Sequence, residues 1–263
     1  MNAVTNMPVD IQQAMARPRL EDRPLARRVG LIALATDHTS EPDFRRMVAS
    51  ERIGVYVARI AYANPTTPEN LRRMQPALEQ GAGLILPGES LDAICYSCTS
   101  ASVVIGDAEI EAAIQRPKPG VPVVTPPMAA MRGLKAFGAQ RISVLTPYTV
   151  ETSRPMAAYF ERHGFDIASF TCLGMDDDRE MARIAPETLV ELARAATSPD
   201  AEALFVSCTA LRAALAAPGI EEAIGRPVVT SNQATAWNCL RLCGDDTARP
   251  EFGRLMTLPL AGD

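Results

Sequence analysis

The second half of this chain repeats the landmarks of the first, in the same order. The apolar run Val29–Ala35 restarts at Arg141, as Ile142-Ser-Val-Leu-Thr-Pro147. Cys98, at the end of one apolar run, is matched by Cys208. Pro122-Val-Val-Thr125 is matched by Pro227-Val-Val-Thr230, and all three pairs recur at nearly the same spacing. A duplicated unit in which short apolar, β-branched runs alternate with helical stretches specifies an α/β fold. Two pseudo-symmetric halves are expected, each a parallel sheet flanked by helices, with an active site in the cleft between them. The expected boundaries are a mobile N-terminal arm over 1–27, a first half over 28–139 and a second over 140–263. The last helix is free to pack on the first half.

The two cysteines occupy equivalent places. Leu91-Asp-Ala-Ile-Cys-Tyr96 runs into Ser97-Cys98-Thr99-Ser100, and Ala203-Leu-Phe-Val206 runs into Ser207-Cys208-Thr209. Apolar runs of this length suit buried parallel strands, and the Ser and Thr after them suit helix starts. Each thiol is then expected on a strand-to-helix turn at the carboxyl edge of a sheet, where open α/β sheets bind ligands. Free cysteine is often a small buried filler. Equivalent placement in both halves favours chemistry instead.

Composition narrows the partners. The 263 residues are 47% hydrophobic and 22% charged, with a net charge of -5, so a basic surface for nucleic acid is not expected. No apolar stretch approaches the roughly 18–20 residues a membrane span needs. The first 27 residues, with Arg17, Arg19, Arg23, Arg27, Pro18 and Pro24, lack the apolar core of an export signal. The cytoplasm is the expected compartment, and the six cysteines are expected as free thiols. Cys95-Tyr-Ser-Cys98 has the spacing of a metal or redox pair, but strand alternation turns the two sulfurs to opposite faces. The two isolated histidines, His38 and His163, do not complete a zinc site.

Local signals fill in the elements. Strands are expected at Ile53–Ile60, Val121–Thr125 and Phe165–Phe170. A helix follows Ser40, expected as its cap, and others run over Pro127–Phe137 and Pro186–Ala196. Thr67-Pro68 opens a further helix, Pro76 interrupts it, and Gly106 breaks the helix after Cys98. His163 before Gly164 suits a helix C-terminus, Trp237 suits the core, and His38 suits a polar turn more than a base for Cys98.

The duplicated half, the paired Cys-Thr turns and the segment Val229-Thr-Ser-Asn-Gln-Ala-Thr-Ala-Trp237 resemble the aspartate/glutamate racemase superfamily. The similarity runs from about Arg28 to Gly244 and is greatest to the branch of maleate isomerase and arylmalonate decarboxylase. Within that branch it is greatest to the racemase-like proteins of ectoine-utilisation clusters. The resemblance implies no metal or organic cofactor, a small carboxylate substrate held between Cys98 and Cys208, and a homo-oligomer, dimer or larger. It aligns Cys98 with the isomerase nucleophile, Cys208 with its partner acid and Tyr148 with a substrate-contacting tyrosine. The decarboxylase branch keeps only the second cysteine, so Cys98 points to racemase or isomerase chemistry.

Two departures bear on the substrate. Asp37 and Asp178 stand where maleate isomerase has asparagines; an amide can donate a hydrogen bond to a substrate carboxylate, whereas an ionised aspartate only accepts. Asp37 equally suits a turn or helix cap, and Asp178, within Asp176-Asp-Asp-Arg179, a solvated acidic loop. If both face the site, the substrate should carry an amine, amidinium or hydroxyl beside one carboxylate. Thr99, Ser100 and Thr209 are expected to add hydroxyl donors, and helix N-termini to favour the thiolates. Maleate-type isomerisation and a non-catalytic binding protein on the same scaffold are the alternative functions.

Overall fold

In the computed structural model, residues 11–260 are described; the first ten residues of the expected arm lie outside them. Each half forms a four-stranded, wholly parallel sheet, and the two sheets share one strand order. In the first sheet β1 (Arg27–Leu34) is flanked by β2 (Ile53–Ile60) and β3 (Ala93–Tyr96), with β4 (Val123–Val124) beyond β3. In the second, β5 (Arg141–Tyr148) lies between β6 (Asp166–Met175) and β7 (Ala203–Val206), with β8 (Val228–Thr230) outside β7. Both central strands bury seven of their eight residues. Covered on both faces, they have no need of polar alternation.

Helices fill the connections: α1 (Ser40–Met47), α2 (Pro68–Arg72), α3 (Ala77–Leu84), α4 (Thr99–Ile105), α5 (Asp107–Gln115) and α6 (Pro126–Ala136) in the first half. The second half has α7 (Val150–Arg162), α8 (Asp178–Met181), α9 (Pro186–Ala196), α10 (Ala213–Ile224) and α11 (Ser231–Leu242). Their ends follow local chemistry. Thr67 accepts from the Asn70 amide ahead of Pro68, and Pro186 opens α9. Gly106, at φ +104°, separates α4 from α5 in a conformation that other residues rarely adopt. His163 ends α7, its Nδ1 2.7 Å from the Tyr159 carbonyl. The edge strand β6 runs on to Met175, beyond the expected Phe170. It is half-exposed and shifts register twice against β5, irregularities an edge tolerates.

The last helix does cross over. α11 packs on α6, α1 and β3, so the helix after the second sheet closes the first. One core cluster therefore runs through both halves, holding Leu31 and Phe44 with Val144, Phe205 and Trp237. Trp237 is fully buried, and its indole N–H donates to the Leu258 carbonyl at 2.8 Å. Trp237→Ala should cost about 3–5 kcal/mol, read by urea unfolding; a loss below about 1 kcal/mol would mean that this ring does not pin the halves together. Among the described residues, no helix is long and apolar enough to cross a membrane, and no group of three or more His, Cys, Asp or Glu could hold a metal ion.

Candidate active site

Parallel strands of both sheets end around one small cavity. Its lining is supplied by strand ends and the first residues beyond them: Leu34 and Asp37 after β1, Tyr62 and Thr66 after β2, Cys98 and Ser100 after β3. From the other half come Tyr148 at the end of β5, Asp178 after β6, and Cys208, Thr209 and Ala210 after β7. The duplication thus brings together two thiols that lie far apart in the chain. Both are nearly buried, at 5% and 4% exposure.

The turns that carry the thiols differ. Cys98 is the N-cap of α4, with ordinary extended backbone; its sulfur lies 3.9 Å from the Ser100 hydroxyl and receives the Ala101 N–H. Cys208 is not followed by a helix as expected. Its φ of +110° turns the chain into a loop, and α10 begins only at Ala213. The loop amides of Ala210 and Leu211 point at the Cys208 sulfur, and the Tyr148 hydroxyl donates to it. That phenol, buried and beside the thiols, is held far above its usual pKa and stays a donor. It also faces the Ser100 hydroxyl from the first half.

Both aspartates reach the cavity. Thr39, not Ser40 as expected, is the N-cap of α1, and Asp37 just before it serves the helix start: its Oδ1 accepts the Thr39 and Ser40 amides, each at 2.7 Å, and its Oδ2 the Ser40 hydroxyl. Burial pushes its carboxyl above the ordinary range, against those three hydrogen bonds. Asp178 is no solvated loop residue. At 7% exposure it accepts from the Asn64 amide at 2.8 Å and from the Thr36 hydroxyl, both in the other half. Among the described residues, no lysine, arginine or histidine lines the cavity.

Thr209 and Ser100 line the cavity as expected, and Thr99 does not. Its hydroxyl turns away to donate to Ser231 Oγ at 2.8 Å, because the first turn of α4 points that side chain into the interface between the halves. His38 lies on the exposed outer face with Asp177 and Arg179, away from the thiols. Cys95 faces the core beside Thr235, on the other side of its strand from the cavity.

Tyr62 and Thr66 were not legible in the sequence. They sit on the segment after β2, which crosses to the second half: the Thr66 amide donates to the Asp176 carbonyl at 2.7 Å, and its carbonyl accepts from Thr152 Oγ1 at 2.8 Å. The Tyr62 and Thr66 hydroxyls pair at 2.6 Å. This segment and the one after β6 meet beside the cavity, through Thr66 on Asp176 and Asn64 on Asp178, and the two thiols are left almost buried. That burial reverses the expected thiol chemistry. Desolvation outweighs the turn amides and pushes Cys98, which Asp37 and Asp178 raise further, up to about 11 and Cys208 up to about 12. Burial thus favours the protonated form of both thiols at neutral pH.

Stability should carry the same signature. A cysteine of the unfolded chain ionises near 9, so the folded state holds these protons more tightly. The stability they confer is complete below pH 9 and is lost as pH rises through 11 to 12. Cys98→Ser should flatten part of the decline in urea-unfolding stability between pH 8 and 10.5. Cys95, Cys208, Cys239 and Cys243, also raised by burial, retain the rest. An unchanged slope would mean that Cys98 is solvated.

Residues 81–256 match the sequence profile of the arylmalonate decarboxylase family, two-thirds of the chain. The chain belongs to that family. The matched span takes in Cys98, Tyr148, Asp178 and Cys208, but not Asp37 or Tyr62. Among relatives, the arylmalonate decarboxylase of Bordetella bronchiseptica is 31% identical over 191 residues, covering 71% of this chain and 75% of its own. The maleate isomerase of Nocardia farcinica is 28% identical over 243 residues, covering 88% and 95%. The fold is shared with a crystal structure of a cysteine-to-serine mutant of the Nocardia farcinica maleate cis-trans isomerase with a covalently bound succinylcysteine intermediate. That structure has a TM-score of 0.79 at 24% identity, over 88% of this chain and 98% of that one. Family membership thus spans both a decarboxylase and isomerases, and the choice between them rests on the cavity.

Proposed function

We propose that this member of the family is a cofactor-independent isomerase or racemase, in which Cys98 and Cys208 act together on one small carboxylate. The observation that carries the proposal is a single cavity lined by Cys98, just after β3 of the first sheet, and Cys208, just after β7 of the second. In racemisation one cysteine, having given its proton to solvent before the substrate is enclosed, takes the α-proton as the thiolate, and the electron pair passes into the carboxylate as an enolate. The other sulfur then delivers a proton to the opposite face. In cis-trans isomerisation a thiolate adds to the double bond, the carbanion formed takes a proton from the second thiol, rotation follows, and the steps reverse. Ser100 supplies a hydroxyl donor for the carboxylate or its enolate, and Tyr148 and Thr209 add two more by turning from Cys208 and the Ser97 carbonyl, to which they donate here.

The substrate class follows from charge. With Asp37 and Asp178 in the lining and no cationic side chain among the residues described there, a dianion meets repulsion from both carboxylates. A monocarboxylate bearing an amine, amidinium or hydroxyl donor meets acceptors. Ectoine, hydroxyectoine or an opened diaminobutyrate derivative has this chemistry, and breakdown of such compatible solutes is the setting we assign. The maleate-type reaction is favoured instead by the isomerase relatives and the succinylcysteine bound in one of them. Incubation in D₂O separates the readings. A racemase exchanges the substrate α-hydrogen, a maleate-type isomerase forms a mass-detectable thioether with maleate, and a binding protein does neither while still being stabilised by its ligand.

A further inference from the structure

The two thiol turns are tied together by a hydroxyl that lines no part of the cavity. Ser231, the first residue of α11, is fully buried. Its Oγ accepts the Cys208 backbone N–H at 3.0 Å and the Thr99 hydroxyl at 2.8 Å. The first bond holds the amide of the one cysteine whose φ, +110°, falls in the left-handed region that favours glycine. The second comes from the residue beside Cys98, in the other half. The repeat shows that the device serves one thiol only. The residue after β4 that corresponds to Ser231 is Pro126, which has no hydroxyl, and the Cys98 amide donates to Tyr96 O, in its own strand, at 3.1 Å. Cys98 needs no such hold, because its backbone is ordinary and a helix follows it.

We propose that Ser231 is a positioning residue for Cys208. It fixes the strained backbone so that the sulfur sits against the Tyr148 hydroxyl and the Ala210 and Leu211 amides, and through Thr99 it links that position to the Cys98 turn. Without it the Cys208 N–H is buried with no partner, the backbone relaxes out of the left-handed region, and the sulfur leaves donors that favour its ionised form. The proposal rests on the reading that both thiols work in this cavity. Its test needs no substrate, so the two can fail separately.

The test is the alkylation of native protein by iodoacetamide between pH 7 and 10, with the Cys98 and Cys208 peptides quantified by mass spectrometry. Both thiols share one cavity, so access is common to them and the ratio of their rates reports the local environment. In Ser231→Ala the Cys208 rate at pH 9 should fall about tenfold relative to Cys98, with its pH profile displaced upward by about one unit. Ser231→Thr, which keeps the hydroxyl, should restore most of the ratio. Thr99→Val orphans no amide and carries the same test if Ser231→Ala does not fold: although it adjoins Cys98, it should slow Cys208 the more. An unchanged ratio in Ser231→Ala, an equal effect on both thiols, or a Thr99→Val effect confined to Cys98 would overturn the proposal.

Discussion

Replacing either Cys98 or Cys208 by serine is expected to lower turnover about a hundred- to ten-thousand-fold, the range for loss of a positioned acid, base or nucleophile. The melting temperature should change by only a few degrees, because serine is close to cysteine in size and each sulfur already has hydroxyl or amide neighbours. The two variants should not behave alike. If the chemistry is racemisation, each abolishes α-hydrogen exchange, since neither thiol alone serves both faces. If it is isomerisation, Cys98→Ser forms no adduct, whereas Cys208→Ser accumulates protein heavier by one unsaturated diacid on Cys98. Full activity in either single variant would remove the paired-thiol mechanism.

The second large effect concerns charge. Two like charges about 6 Å apart at an effective dielectric near 20 repel by roughly 2–3 kcal/mol, or up to about a hundredfold in affinity. Asp37→Asn with Asp178→Asn should therefore improve binding of maleate or a similar dicarboxylate about ten- to a hundredfold. It should weaken amine-bearing monocarboxylates by a comparable factor. The fold should survive: an asparagine oxygen can still accept the Thr39 and Ser40 amides, and the Asn64 amide at position 178. Calorimetric titration of both ligand classes against both proteins reads the result. Equal dicarboxylate affinity in the two proteins would mean that the aspartates do not select the substrate.

The fold was legible because duplication is a global signal that local propensity cannot blur. The Val29, Cys98 and Pro122 landmarks and their counterparts foretold two sheets of one order, and helix signals such as Thr67-Pro68 and Gly106 fell where the chain needed them. The strand ends also gave away Cys98 and Cys208, because a parallel sheet puts them at one edge, whereas Tyr148 was legible only through the family resemblance. What was not legible depends on tertiary closure. Tyr62 and Thr66 sit on a segment without periodicity, and nothing local says that it crosses to the other half. The turn of Thr99 toward Ser231 is set by contact between halves, and so is the departure of Cys208 from helical geometry. The thiolate expectation failed for the same reason: a helix start favours ionisation, but the burial that outweighs it belongs to the cavity and not to the Ser-Cys-Thr motif.

Two electrophilic carbons flanking a single carbonyl, as in 1,3-dichloroacetone, can bridge only sulfurs that face a common space. With native protein and peptide mapping, one reagent molecule should join the Cys98 peptide to the Cys208 peptide, and prior addition of the substrate should prevent it. Separate single adducts on the two cysteines, with no bridged peptide, would contradict a shared cavity and with it the proposed chemistry.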